Sequence, residues 1–185
     1  MCTFLGTAGK INKNDLHVNT IKESDLIFLE GYLWDEGDPK EAFEKAINLS
    51  NKTAMSLSDK FCVDRHKSNF LDLVKNKLDL VFANEAEIMS LIGAKKFDEV
   101  ILFGKQIKKH LIITRGGKGA VSINNNEIVE VDAKKDLNIV DLTGAGDLFA
   151  SGYLHGFINN FSQRECLEKA TEMSSKIIQQ IGARL

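Results

Sequence analysis

Leu80-Val81-Phe82-Ala83-Asn84-Glu85-Ala86-Glu87 is the stretch that decides the fold class. Four consecutive apolar residues show no polar alternation, which suits a strand covered on both faces. Asn84 then ends the run, and Glu85 and Glu87 follow where a capped helix carries its first-turn carboxylates. A buried strand passing straight into a helix is the βα step of a parallel sheet. The same alternation recurs around it. Residues 26–30, 53–57 and 111–114 are further short apolar runs, and amphipathic stretches lie between them. Pro39–Leu49 opens on a proline suited to a first helical turn and places Ala42, Ala46 and Leu49 on one side. Residues 69–78, 85–91 and 98–105 are shorter helical candidates. Residues 119–124 and 127–133 read as a hairpin around Asn124-Asn125-Asn126, and 144–161 and 163–181 as two closing helices, the second stopping at Gly182.

Composition narrows the class without naming a function. The 185 residues carry 24 Lys plus Arg against 26 Asp plus Glu, a formal charge of −2, with 43% hydrophobic residues. That balance lacks the positive excess with which nucleic-acid binders neutralise phosphates, and it supports a packed core rather than disorder. No uncharged apolar run is long enough for a transmembrane helix, and the N-terminal residues lack the basic start of a signal peptide, so the cytoplasm is the expected location. Cys2, Cys62 and Cys166 show no paired spacing and read as reduced structural thiols. Length and the lone Pro39 suggest one domain over residues 1–185.

Chemistry concentrates in Val140-Asp141-Leu142-Thr143-Gly144-Ala145-Gly146-Asp147, where three small residues precede a helical pattern. Backbone N–H groups at such a start converge on an anion, and the lack of bulky side chains lets a phosphate approach. Asp147 would lie in the first turn, placed to take a proton from a hydroxyl attacking a phosphoryl group. An alternative makes Asp147 a helix-stabilising carboxylate and Gly144 and Gly146 plain turn residues. The string fits neither the Walker loop, which needs Lys-Ser or Lys-Thr after its last glycine, nor the dinucleotide fingerprint.

Asp141-Leu142-Thr143-Gly144-Ala145-Gly146-Asp147 resembles the C-terminal signature of the ribokinase or PfkB family of carbohydrate and nucleoside kinases. The family usually has a small or hydroxylated residue where Leu142 stands. Asn84-Glu85-Ala86-Glu87 is similar to the family's Asn-x-x-Glu motif, and Thr114-Arg115-Gly116-Gly117-Lys118-Gly119-Ala120 to its nucleotide loop. Taken singly, the first is also a capped helix and the second a tight glycine turn. Residues 30–35, 56–65 and 179–184 resemble the adenosine-kinase-like subgroup, so the resemblance runs along essentially the whole chain.

The resemblance implies a three-layer α-β-α, Rossmann-like (ribokinase-like) fold with a mostly parallel central sheet, lacking the early strands and lid of longer relatives. It implies ATP and Mg2+ as cofactors and a sugar or nucleoside as acceptor, adenosine-like compounds leading. Asp147 would be the catalytic base and Gly144, Ala145 and Gly146 the anion hole. Asn84, Thr114, Gly116, Gly117, Gly119, Thr143 and Thr171 would hold the nucleotide, and Glu87 would position the metal. A non-catalytic nucleotide-binding remnant is the alternative, and a dehydrogenase a weaker third. No nucleic acid or membrane partner is expected, and an exposed sheet edge would favour a homo-oligomer. His17, His66, His110 and His155 show no metal-ligand spacing, and Trp34 with Tyr32 reads as local packing. Asp59, Asp64 and Arg65 follow a strand end but receive no defined role.

Overall fold

In the computed structural model, which describes residues 6–34 and 39–185, the apolar runs become strands of one six-stranded sheet. They are β1 (Ile27–Glu30), β2 (Thr53–Ser56), β3 (Leu80–Asn84), β4 (His110–Thr114), β5 (Ala120–Asn124) and β6 (Glu127–Val131). They pair in chain order, β1 to β4 parallel and β4-β5-β6 antiparallel. The helices are α1 (Val18–Glu23), α2 (Pro39–Leu49), α3 (Lys60–Arg65), α4 (Lys67–Asp72), α5 (Glu85–Ile92), α6 (Phe97–Ile107), α7 (Ala145–Ile158) and α8 (Gln163–Ile177).

Three parallel crossovers step in the same direction, and their common handedness puts the connecting helices on one face. Strand periodicity shows it directly. Val81, Ala83, Leu111 and Ile113 pack against Phe43, Val63, Phe70, Ile88, Leu91 and Val100 of α2 to α6. The alternate residues Leu80, Phe82 and Ile112 pack against Phe149, Tyr153, Leu167 and Ala170 of α7 and α8. The result is the three-layer ribokinase-like arrangement with a mostly parallel sheet.

Several boundaries differ from the sequence reading. The helix expected over 69–78 is α4 followed by a wide turn over Leu73–Lys77, closed by Leu78 N–H donating to the Leu73 carbonyl at 3.0 Å. In an uninterrupted α-helix Lys77 would lie within about 20° of Phe70 on the core face. The wider turn instead buries Leu78 and leaves Lys77 exposed. The last helix stops at Ile177 rather than 181, because the Ile178 carbonyl accepts from the N–H groups of Val140 (2.8 Å) and Asp141 (3.3 Å). Helix α3 was not anticipated, although Asp59 caps it by accepting from Cys62 N–H at 2.6 Å. Cys62 and Cys166 are buried, with Cys62 Sγ donating to the Gly31 carbonyl at 3.3 Å, whereas Cys2 and Asp35 lie outside the described residues.

One polar cluster is buried in the second core. His110 Nε2 lies 2.8 Å from both Ser122 Oγ and Tyr153 Oη, which are themselves 2.9 Å apart. Burial pulls the His110 pKa down to about 4, with Lys52 adding to the effect. Trp34 packs edge-on against Phe43 and Phe70, as expected of a local core aromatic. No helix among the described residues is long and apolar enough to cross a membrane.

Candidate active site

Parallel strands deliver their last residues to the same edge of the sheet, so Glu30, Ser56, Asn84 and Thr114 end β1 to β4 side by side. Two adjoining clefts open there. The first, about 500 Å³, is lined by Glu30, Tyr32, Ser56, Ser58, Asn84, Glu87, Thr114 and residues 141–147. The second, about 380 Å³, is lined by Thr114, Gly116, Gly117, Gly119, Lys134, Ala145, Gly146, Thr171, Ser174 and Ser175, among others. Each of the twelve residues singled out from the sequence lines one cleft or the other. Thr114, Ala145 and Gly146 line both, so the start of α7 stands on their common wall.

That start is built by glycine geometry and a carboxylate staple. Gly144 caps α7 at φ 80°, in left-handed space, and a Cβ there would lie 2.9 Å from Ala183 Cβ. Asp141 Oδ1 accepts from Thr143 N–H (2.9 Å) and Thr143 Oγ1 (2.7 Å), and Oδ2 accepts from Gly182 N–H at 3.0 Å. These bonds, led by that of Gly182, hold the Asp141 carboxyl below its ordinary pKa. Ala145 N–H donates to the Leu142 carbonyl at 3.2 Å. The Gly144, Gly146 and Asp147 amides have no acceptor among the described residues, so of the Gly144-Ala145-Gly146 set named from the sequence only the Ala145 donor is turned back onto the chain, and Asp147 adds one more. Asp147 is exposed to the first cleft.

On the opposite wall, Asn84 and Glu87 form a capping box. Glu87 N–H donates to Asn84 Oδ1 (2.9 Å), while Asn84 N–H (2.9 Å) and Nδ2 (2.5 Å) donate to the Glu87 carboxylate. Burial raises the Glu87 pKa to about 7, and Asp59 and Glu30 push in the same direction. Glu30 is likewise raised, first by burial and then by the charge of Asp147. Its carboxylate accepts from Ser58 Oγ, and Ser58 Oγ accepts from Tyr32 N–H at 3.1 Å. Several carboxylates therefore crowd one cleft. No group of three acidic, His or Cys side chains among the described residues is arranged to hold a metal ion alone.

Two details of the second cleft were less legible. Gly119 is a glycine because a Cβ there would lie 2.0 Å from the Val131 carbonyl oxygen, so the hairpin crossing demands it independently of any ligand. Thr171 is buried, and its Oγ1 has no hydrogen-bond partner. Glu30, Ser56, Ser58 and Tyr32 were missed as cleft residues. Their common signal was a polar residue at or just beyond the end of an apolar run.

A family model described as "pfkB family carbohydrate kinase" matches residues 1–185. The chain belongs to that family. A solved adenosine kinase from Sinorhizobium meliloti superposes with a TM-score of 0.92 at 34% identity, covering 96% of this chain and 56% of that one. A probable sugar kinase from Rhizobium etli gives 0.91 at 35% identity, covering 94% and 54%. The ribokinase of Lactococcus lactis is 27% identical over 167 residues, 89% of this chain and 51% of the relative. The chain thus spans about half the length of these relatives.

Proposed function

We propose that this pfkB-family chain carries the nucleotide and catalytic half of an ATP-dependent phosphotransferase, moving the ATP γ-phosphoryl group to a hydroxyl of a sugar or nucleoside. The observation that carries the reading is the start of α7: the unpartnered amides of Gly144, Gly146 and Asp147 and the Asp147 carboxylate cluster there, beside the wall that the two clefts share. The second cleft receives the nucleotide, with the orphaned Thr171 Oγ1 offering a hydrogen bond to its base. Gly116 and Gly117, where a Cβ would meet nothing within 4 Å, leave room for the chain of phosphates.

The acceptor occupies the first cleft, where Asp147 takes the proton from its attacking hydroxyl. The unpartnered Gly144, Gly146 and Asp147 N–H groups face the charge on the transferring group, and the α7 dipole adds to their effect. Mg2+ bound with ATP supplies neutralisation of phosphate charge. Glu87, which accepts one hydrogen bond from Asn84 on each oxygen and keeps a lone pair on both, would help hold the ion when MgATP is bound.

An adenosine-like acceptor is the first choice, supported by the 34% identity to an adenosine kinase chain, with ribose and fructose next. The test is ADP release from MgATP against a panel of nucleosides and sugars, with Asp147→Asn as control. Acceptor-dependent ADP that falls by at least about a hundredfold in Asp147→Asn supports the assignment. Undiminished turnover in that variant removes Asp147 as the base. MgATP binding with silence for every acceptor would mark a nucleotide-binding module without turnover.

A further inference from the structure

Arg115 lines neither cleft, yet it follows Thr114 and precedes Gly116, which do, and its side chain is held twice over. Its Nε donates to Glu85 Oε2 at 2.9 Å, and its guanidinium carbon sits 3.7 Å from the centroid of the Phe97 ring. The pair is shielded, with side-chain exposures of 18% for Arg115 and 26% for Glu85. Glu85 is the first residue of α5, directly after Asn84, and Phe97 is the first residue of α6 and packs on the first core. The guanidinium therefore ties the segment after β4 to two helix starts at once. Asn84 and Thr114 are paired across the sheet, so Glu85 and Arg115 meet one residue beyond the last rung of the ladder.

The turn after Arg115 is held by backbone bonds and buries none of its own side chains. Gly116 has φ 55° and Gly119 φ 88°, and Gly116, Gly117 and Lys118 are exposed. The turn is closed by Arg115 N–H donating to the Gly119 carbonyl (2.8 Å), Lys118 N–H donating to the Arg115 carbonyl (3.1 Å) and Gly119 N–H donating to the Gly116 carbonyl (3.0 Å). Two of the three bonds use the backbone of Arg115, so its side-chain anchor bears on where the turn sits. A glycine-rich turn left unanchored spreads over many conformations, and a ligand must then bear the cost of ordering it.

We propose that Arg115 is a positioning residue that, through Glu85 and Phe97, holds residues 116–119 in the conformation that receives the nucleotide and couples that turn to the Asn84–Glu87 capping box. The proposal rests on the nucleotide reading of the second cleft. Lys118 Nζ also approaches Glu85, at 3.7 Å, but is itself 68% exposed and lacks the ring contact, so it cannot replace the clasp. Lysine at 115 would keep the charge and lose the planar stacking and the directed Nε donor.

The test measures MgATP affinity by calorimetry and amide exchange of residues 116–119 in the wild type, Arg115→Met, Arg115→Lys, Glu85→Gln and the Arg115→Met/Glu85→Gln double variant. Arg115→Met should weaken MgATP about three- to tenfold and speed exchange at 116–119, with Arg115→Lys in between. The double variant should be no worse than Arg115→Met, because both act through one contact. Wild-type affinity and exchange in Arg115→Met would overturn the proposal, as would losses that add in full in the double variant. Should Arg115→Met not fold, Phe97→Leu and Arg115→Lys supply the same comparison. A wild type that binds no MgATP removes the nucleotide reading and the proposal with it, whereas loss of the effect in a wild type that does bind MgATP removes the proposal alone.

Discussion

Gly144 and Gly146 are two residues apart, yet alanine at each should have opposite effects on stability. At Gly144 the φ of 80° costs an L-residue about 1–2 kcal/mol. The new methyl would also stand 2.9 Å from Ala183 Cβ and 3.0 Å from Ala183 Cα. Ala183 is exposed, so it yields, and the Gly182 N–H to Asp141 bond at 3.0 Å goes with it, for a further loss of about 1 kcal/mol. Gly144→Ala should therefore cost about 2–3 kcal/mol. Gly146 lies inside α7, outside left-handed space, and a Cβ there meets nothing within 4 Å. Gly146→Ala should stabilise by about 0.4–1 kcal/mol through the unfolded chain. Its methyl, however, would project into space on the wall common to both clefts. Urea unfolding of the two variants gives the stability ranking, and MgATP titration gives the binding cost. A Gly144→Ala protein as stable as wild type would refute the strain argument. A Gly146→Ala protein that binds MgATP normally would refute the close approach of phosphate to α7.

Two further perturbations probe a buried group away from the clefts and Thr171 in the second cleft. His110 has a folded pKa near 4 against an unfolded 6.5, so the unfolded chain binds the extra proton first. Stability should therefore fall as pH drops from about 6.5 toward 4, by up to about 3 kcal/mol; urea midpoints across that range should flatten in His110→Gln, and an unchanged slope would count against the assignment. Thr171→Val removes a buried hydroxyl with no partner, so the free protein should be as stable or up to about 1 kcal/mol more stable, while MgATP binds more weakly. Equal MgATP affinity in that variant would show that Thr171 does not touch the base.

The layer order and site were readable for one reason and partly hidden for another. Parallel strands buried on both faces, such as Leu80-Val81-Phe82-Ala83, announce themselves as unbroken apolar runs. Short residues before α7 announce a helix start. Helix α3 escaped because six residues with Phe61 72% exposed carry no amphipathic stripe, and its only local mark was the Asp59 cap. The ends of the helices expected over 69–78 and 163–181 escaped because tertiary partners set them: a core position claimed by Leu78, and a carbonyl of Ile178 claimed by residues 140 and 141. Glu30 and Ser58 carried only the mark of a polar residue at or just beyond a strand end, and that mark does not say which strand ends stand side by side.

The placement of charge ties these pieces together. Glu30, Glu87 and Asp147 all line the first cleft, and the pKa of Glu87 is raised by its neighbours Asp59 and Glu30 as well as by burial. Arg115 and Lys118 are turned away to Glu85, whose carboxyl Arg115 holds below its ordinary pKa. At the start of α7 positive character therefore comes from the Gly144, Gly146 and Asp147 amides and the α7 dipole, while Lys134 is a cation in the lining of the second cleft. Amides fixed by backbone geometry can face developing phosphoryl charge without neutralising the adjacent Asp147 carboxylate, as a lysine in the same position would. The proposed base and the proposed anion site would thus share one helical turn, and Gly144, held at its left-handed φ under Ala183, sets the angle at which that turn begins.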